Sequence, residues 1–104
     1  MNLPAAIRQW LDRLKRRRRV LQAARQFSRA TFPEDVPDWS YIDVYRADRA
    51  VVFLSYKKKP AILNQDFRYF SVSPQDFTVT VLDDQKARAI KIREEIRQAA
   101  KKNR

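Results

Sequence analysis

Residues 50–56 read AVVFLSY and are the most strand-like stretch of this chain. β-Branched and aromatic side chains fall on both faces of the strand predicted there, so we expect it to lie at the centre of a sheet. Before it, Tyr41, Asp43 and Tyr45 alternate with apolar residues, the pattern of a half-buried strand in which these three share one face. Residues 47–50 suit a tight turn between the two strands. These stretches predict the first hairpin of an antiparallel sheet.

A second hairpin continues the predicted sheet. Residues 67–72 and 77–82 are rich in β-branched and aromatic residues, and SPQD between them has serine and proline where a type I turn prefers them. We therefore expect three or four antiparallel strands within residues 41–82. Residues 31–40 contain two prolines and three acids, which predicts a loop.

Helical patterns flank the predicted sheet. In residues 1–30 apolar residues recur at helical spacing after Pro4, but their direction rotates near the middle, so either the helix bends or its halves face different surroundings. Residues 83–104 begin with two aspartates, which suit a helix N-terminus, and carry another apolar stripe. We expect one α+β domain, with a long basic N-terminal helix, the sheet and a basic C-terminal helix in the order αβββ(β)α. Both helices are predicted to lie on one sheet face.

Composition narrows the classes of function. The chain has 104 residues, 44% of them hydrophobic, which suits a single folded domain. It contains no cysteine, histidine or glycine. These absences remove thiol and imidazole catalysis, the common zinc sites and the glycine-rich loops of nucleotide-binding enzymes. We therefore expect a protein that is not an enzyme and holds neither a cofactor nor a metal.

The sequence also bears on location. It has neither an apolar stretch near the roughly 20 residues of a membrane-spanning helix nor a secretory signal pattern. Residues 1–32 are rich in arginine, as organelle-targeting peptides are, but lack the serine enrichment of such peptides. We expect a cytoplasmic protein, soluble or peripheral to a membrane.

Positive charge is concentrated towards both ends of the chain, whose net charge is +11. Residues 1–30 carry nine cations against one acid, and residues 83–104 carry eight against four. The densest part is a cation run of five consecutive residues: Lys15, Arg16, Arg17, Arg18 and Arg19. Because successive helical residues are about 100° apart, the run surrounds its helix. We expect it to project from the domain, with Arg17 and Arg18 nearest the sheet.

This charge pattern predicts a module that binds a polyanion, RNA or DNA, chiefly through phosphates. Other candidate contacts are the strand cations Arg46, Lys57, Lys58, Lys59 and Arg68. Three tyrosines are candidates for stacking on bases: Tyr41, Tyr45 and Tyr69. The competing interpretations are that these rings pack beneath the helices and that the cation run is a solvated stretch of helix.

A second class of function stays open. Ile7, Trp10, Leu11 and Leu14 form an apolar stripe beside the cation run, as in helices that lie on membrane surfaces. The chain can then be a small adaptor or assembly subunit whose basic amphipathic helix docks on an acidic protein or an anionic membrane. A simpler interpretation, which we favour, is that this stripe covers the chain's own sheet.

Residues 41–59, YIDVYRADRAVVFLSYKKK, resemble the hairpin of metal-dependent nucleases of the PD-(D/E)xK type. In that resemblance Asp43 matches the first acid and Lys57 the lysine, while Ser55 stands where the second carboxylate belongs. The missing carboxylate removes an oxygen ligand from a magnesium site, so the resemblance implies an inactive relative. The order of elements also resembles that of double-stranded RNA-binding domains, without the glycine- and histidine-containing loops that grip RNA.

Overall fold

In the computed structural model, which describes residues 3–58 and 65–102, two helices flank a four-stranded sheet. The elements in chain order are α1 (Ala5–Thr31), β1 (Asp35–Tyr45), β2 (Ala50–Lys58), β3 (Gln65–Val72), β4 (Val79–Leu82) and α2 (Asp84–Lys102). All neighbouring strands are antiparallel, and they lie in the order β1-β2-β3-β4. The predicted α+β fold and the predicted order of elements are confirmed.

The two helices lie on opposite faces of the sheet. α1 packs Val20 and Ala24 into the cluster that contains Leu54, whereas α2 packs Ala87 against Val51. Successive residues of a strand point to opposite faces, so Leu54 and Val51 of β2 define an α1 face and an α2 face. The prediction that both helices share one face is therefore wrong. Because β2 carries apolar side chains on both faces of the sheet, each face needs a helix packed over it.

β1 begins at Asp35, inside residues 31–40, which were predicted to form a loop. Pro37 has no N–H to donate, but β1 is the edge strand of the sheet and has only one neighbour. The proline therefore fits where a central strand would exclude it. The first hairpin is consequently longer than the sequence pattern indicates.

A β-bulge changes the phase of β1. Ile42 pairs with one residue of β2 and Val44 with the next, so Asp43 is an extra residue between them. As a result, Tyr41 lies among the rings of the α2 face and Tyr45 packs below α1. The prediction that Tyr41, Asp43 and Tyr45 share one face is wrong because an inserted residue reverses the alternation beyond it.

Two turns lie at the same end of the sheet, which we call the turn end. The first spans residues 46–49, and the second spans residues 73–78. Ala50, Val72 and Val79 are directly opposite one another in the ladder, which places both turns beside them. Side chains from both turns contact the helices there.

The second turn forms without a glycine. Phe77 takes the left-handed conformation, with φ of 61°, which glycine would adopt at lower cost. Hydroxyl and carboxylate oxygens accept backbone N–H groups: Ser73 from Gln75 at 3.2 Å and Asp76 from Thr78 at 3.1 Å. The hydrogen bond from Thr78 lowers the pKa of the Asp76 carboxyl below its ordinary value of 3.8. These local hydrogen bonds thus stabilise a turn that lacks glycine, the residue usual in this conformation.

α1 buries side chains against the sheet only in its second half. Its buried residues are Val20, Ala24 and Ser28, all beyond the cation run. The radius of gyration is 16.0 Å, compared with about 13 Å for a compact domain of 100 residues. A single continuous helix therefore has one half packed and one half extending along solvent, so the halves face different surroundings.

Candidate anion-binding surface

The cation run lies on α1 one turn before the packed half. All five side chains are exposed, and none forms an ion pair with an acid in residues 3–58 or 65–102. Like charges at neighbouring helical positions repel each other, so this concentration of charge destabilises the helix on its own. An arriving anion would meet five cations whose charge the described protein does not neutralise.

Three of the five cations are nevertheless held in place. Their partners are uncharged, so the contacts orient each guanidinium group without cancelling its charge. Arg16 Nη1 donates a hydrogen bond of 2.8 Å to the carbonyl oxygen of Pro74, Arg17 lies 4.5 Å from the ring centroid of Tyr45, and Arg19 lies 4.1 Å from that of Phe77. The turn end therefore positions part of the cation run.

The helix geometry separates the remaining two cations from the sheet. Arg18 lies about 160° around the helix axis from the buried Val20, and Lys15 lies about 140° from it in the other sense. Neither side chain makes a hydrogen bond, ion pair or cation–π contact with the described part of the chain. Arg17 is near the sheet as expected, but the expectation that Arg18 is also near it is wrong.

Arg68 has its charge matched within the domain. It forms an ion pair with Asp35, whose side chain is only 3% exposed, so strands β1 and β3 are joined across the α1 face. Its guanidinium group also lies 3.7 Å from the ring centroid of Phe32 and 4.3 Å from that of Tyr56. These contacts indicate a structural role, and we leave Arg68 out of the candidate surface.

Arg46 is also paired internally. It lies 3.8 Å from a carboxylate oxygen of Asp48 and 3.5 Å from one of Glu94 on α2. The pair with Glu94 ties the first turn to α2. A phosphate would have to compete with both carboxylates, so Arg46 is a poorer anion ligand than the cation run.

The lysines at the end of β2 lie far from the cation run. Lys58 is eight residues along the strand from Ala50 at the turn end, a separation of about 27 Å. Lys57 and Lys58 also point to opposite faces, because they are adjacent residues of one strand. Lys59 lies outside the described residues. These lysines therefore do not extend the surface formed by the cation run.

The three candidate stacking tyrosines are divided between the two faces. Tyr45 is covered by Arg17 on the α1 face, whereas Tyr41 and Tyr69 belong to an aromatic cluster on the α2 face. Its rings are Trp39, Tyr41, Phe53, Phe67 and Tyr69, with neighbouring ring centroids 5.0–5.8 Å apart. Burial raises the pKa of the Tyr69 hydroxyl above its ordinary value of 10.0. The tyrosines therefore do not form one platform.

Sequence reasoning missed two members of this cluster. Trp39 falls within the predicted loop, although it is two residues before Tyr41 and so shares the period of a strand. Phe53 falls within the predicted central strand, where its pattern gives no sign of a partly exposed cluster. Trp39, Tyr41 and Phe67 remain 49%, 41% and 39% exposed, so the cluster reaches solvent beside α2.

The first half of α1 leaves an apolar stripe in solvent. Ile7, Trp10 and Leu14 of the stripe are 44%, 58% and 44% exposed, and Leu11 is half-buried. The expectation that this stripe covers the chain's own sheet is wrong. On the helix, the stripe points more than about 80° away from the buried Val20, so it cannot face the sheet together with the packed half.

The geometry separates the residues that matched the nuclease pattern. Asp43 forms an ion pair of 3.3 Å with Lys91 of α2. Lys57 is five residues along β2 from Val52, which pairs beside Asp43, and therefore lies roughly 17 Å away. Among the described residues, no three acidic side chains are grouped to hold a metal ion.

Comparison of the chain with protein-family models, curated proteins and solved structures gives no match. Within residues 3–58 and 65–102, neither helix is both long and apolar enough to cross a bilayer.

Proposed function

We propose that this chain is a non-catalytic binding module that holds a nucleic acid, RNA or DNA, through its phosphates. The observation that carries the proposal is the state of the cation run: five adjacent exposed cations, residues 15–19, without an ion pair in the described structure. Arginine matches phosphate geometry with its planar, forked donors. Contacts of this kind carry little sequence information, so we propose weak sequence preference.

The contacts at the turn end support the same proposal. Arg16, Arg17 and Arg19 are held by a carbonyl group and two rings, so part of the ordering cost is met before an anion arrives. Arg18 and Lys15 are left free to move towards a phosphate. Arg46 and Arg68, the strand arginines that were further candidates, form ion pairs with acids. They therefore add little to anion binding.

Neutralising the cation run should weaken nucleic-acid binding uniformly across sequences. In a variant with Arg16, Arg17, Arg18 and Arg19 all changed to Gln, we expect the slope of log K against log salt to fall by about three to four, because each phosphate contact contributes about one. Fluorescence anisotropy with a labelled 20-nucleotide strand and the matching duplex, at several salt concentrations, measures this slope.

Three of those arginines also contact the domain, so a second variant avoids disturbing the fold. Lys15→Gln with Arg18→Gln removes two cations without internal contacts, and the slope should fall by about two. The matched control, Lys101→Gln with Lys102→Gln, removes equal charge from the end of α2. Equal binding by both double variants would contradict the proposal, as would wild-type protein that does not bind either probe.

A second candidate function has its own observation in the uncovered stripe of α1. The stripe and the cations beside it suit a helix lying in the headgroup region of an anionic membrane, with apolar side chains inserted and cations near lipid phosphates. Docking on an acidic protein would use the same two features. The cation run therefore serves either function, whereas Trp10 and its neighbours are needed only by the second.

Trp10→Ala separates the two candidates. If the membrane function holds, this variant should co-sediment with vesicles containing phosphatidylserine roughly tenfold more weakly than the wild type, because an inserted indole is lost. Trp39→Ala, at an exposed ring of the sheet, is the matched control and should change little. Neutral phosphatidylcholine vesicles should bind neither protein. If Trp10→Ala leaves vesicle binding unchanged, the membrane candidate is wrong.

A further inference from the structure

A cleft of about 470 Å³ lies between α2 and the turn end of the sheet. Its wall carries three cations from two separate parts of the chain: Arg49 from the first turn, and Lys86 and Arg93 from α2. Its floor carries the hydroxyl groups of Ser71 and Thr80, which lie directly opposite each other on β3 and β4. Cations and hydroxyl donors around one cleft form an environment suited to phosphate oxygens.

The charges of this cleft are unmatched within the described chain. The side chains of Arg49, Lys86 and Arg93 form no ion pair in the parts of the structure before residue 59 and after residue 64. One acid, Asp83, lines the cleft, and its carboxylate accepts the backbone N–H of Gln85 at 2.8 Å as α2 begins. The lining therefore carries an excess of positive charge.

Among the described residues, a neighbouring depression contains ion pairs that the cleft lacks. It shares Arg49 and Arg93 with the cleft, but its other charged residues are acids and the arginines that pair with them: Arg46, Asp48, Glu94 and Arg97. The two acids offset Arg46 and Arg97, so the positive charge that remains at the depression is that of Arg49 and Arg93, which also line the cleft. In the described part of the chain, the unpaired cations that line either hollow are therefore Arg49, Arg93 and Lys86, and all three line the cleft.

The cleft and the cation run lie at the same end of the sheet. Arg49 precedes Ala50, which pairs with Val72 beside the second turn, and that turn contacts Arg16 and Arg19. The cation run approaches the turn end from the α1 face, whereas the cleft opens on the α2 face. One polyanion that crosses the turn end would therefore meet both sets of cations.

We propose that the cleft of Arg49, Lys86 and Arg93 is a second phosphate-binding site, and that a single nucleic-acid strand passes over the turn end from the cation run into it. This inference rests on the proposed nucleic-acid function and extends its contact surface to the opposite face. Ser71 and Thr80 donate hydrogen bonds to phosphate oxygens in the cleft. The strand contacts β4 and α2 as well as α1.

The test replaces Arg49, Lys86 and Arg93 together with Gln. Binding of a labelled 20-nucleotide single strand should lose about two to three from its salt slope. The matched control changes Arg88, Lys101 and Lys102 to Gln, which removes three cations from α2 outside the cleft. Its slope should change by less than about one. Circular dichroism and the thermal midpoint verify that both variants fold.

The outcomes distinguish this inference from the proposed function. If the cation-run variants lose binding while the cleft variant matches its control, the cleft proposal is wrong and the proposed function stands. If the cleft variant loses binding while the cation-run variants do not, the cleft binds the strand, but the assignment of residues 15–19 and the path from the cation run are wrong. Titration with pyrophosphate gives a third arm: a cleft that binds pyrophosphate but leaves strand binding at the control level is a small-ligand site, which overturns the proposal.

Discussion

Phe70→Ala should cost about 4 kcal/mol of unfolding free energy, a large part of the stability of a domain of this size. Phe70 is fully buried on β3, where its ring meets that of Phe27 from α1 edge-on, with the centroids 5.9 Å apart. Removing the ring opens a cavity at the contact between helix and sheet. Denaturant unfolding measures the loss, and the thermal midpoint should fall by about 15–30 °C.

Phe67→Ala is the matched control for this substitution. It removes the same ring from the same strand, but Phe67 lies on the opposite face, is 39% exposed and packs against Phe53 and Tyr69, so the cost should be about 1–2 kcal/mol. Phe70→Leu, which keeps most of the volume, should cost about 1.5 kcal/mol and remain folded if the alanine variant does not. Equal losses from Phe67→Ala and Phe70→Ala would contradict the packing described for α1.

Asp35→Asn should lower the unfolding free energy by about 3 kcal/mol, because Arg68 would keep its charge on the α1 face without a carboxylate. The asparagine has nearly the same shape, so the loss reports charge rather than packing. Urea unfolding at neutral pH gives the value. The expected cost is high because the Asp35 side chain is 3% exposed and that of Arg68 is 19% exposed.

Asp48→Asn provides the comparison with an exposed pair. Asp48 pairs with Arg46, and its side chain is 83% exposed, so the substitution should cost less than about 0.5 kcal/mol. Replacing both buried partners, Asp35→Leu with Arg68→Met, should restore much of the lost stability, since neither charge then remains and methionine still contacts the rings of Phe32 and Tyr56. A double variant as unstable as Asp35→Asn would show that the ion pair itself is not the cause.

The elements could be predicted from sequence because strand and helix periods are local. Residues 50–56, apolar except for Ser55, form the first seven residues of β2. The same observation already argued against placing both helices on one face, since one covered side would leave the other in water. The start of β1 could not be predicted because it contains Pro37. A proline is excluded from a central strand but tolerated in an edge strand, and the order of strands is a property of the whole sheet.

The candidate surface could be predicted only in part. The cation run is contiguous, so counting charges finds it. Whether a given cation is free depends on acids distant in sequence: Arg68 meets Asp35 across 33 positions. Arg49 and Arg93 reach one cleft although the chain between them includes three strands, β2, β3 and β4, and the first nine residues of α2. The sheet register decides which distant residues lie side by side, and the bulge at Asp43 shifts that register.

The edges of the sheet bear on whether a second copy of this chain could pair with it strand to strand. A regular edge strand offers free N–H and C=O groups to another chain, and exposed aromatic rings beside it would favour such pairing. β1 carries Pro37 and two irregularities of register, and β4 has only four residues. Neither edge is a long regular template for a further strand. The features that made β1 hard to recognise in the sequence also make it a poor template for pairing with a strand of a second copy.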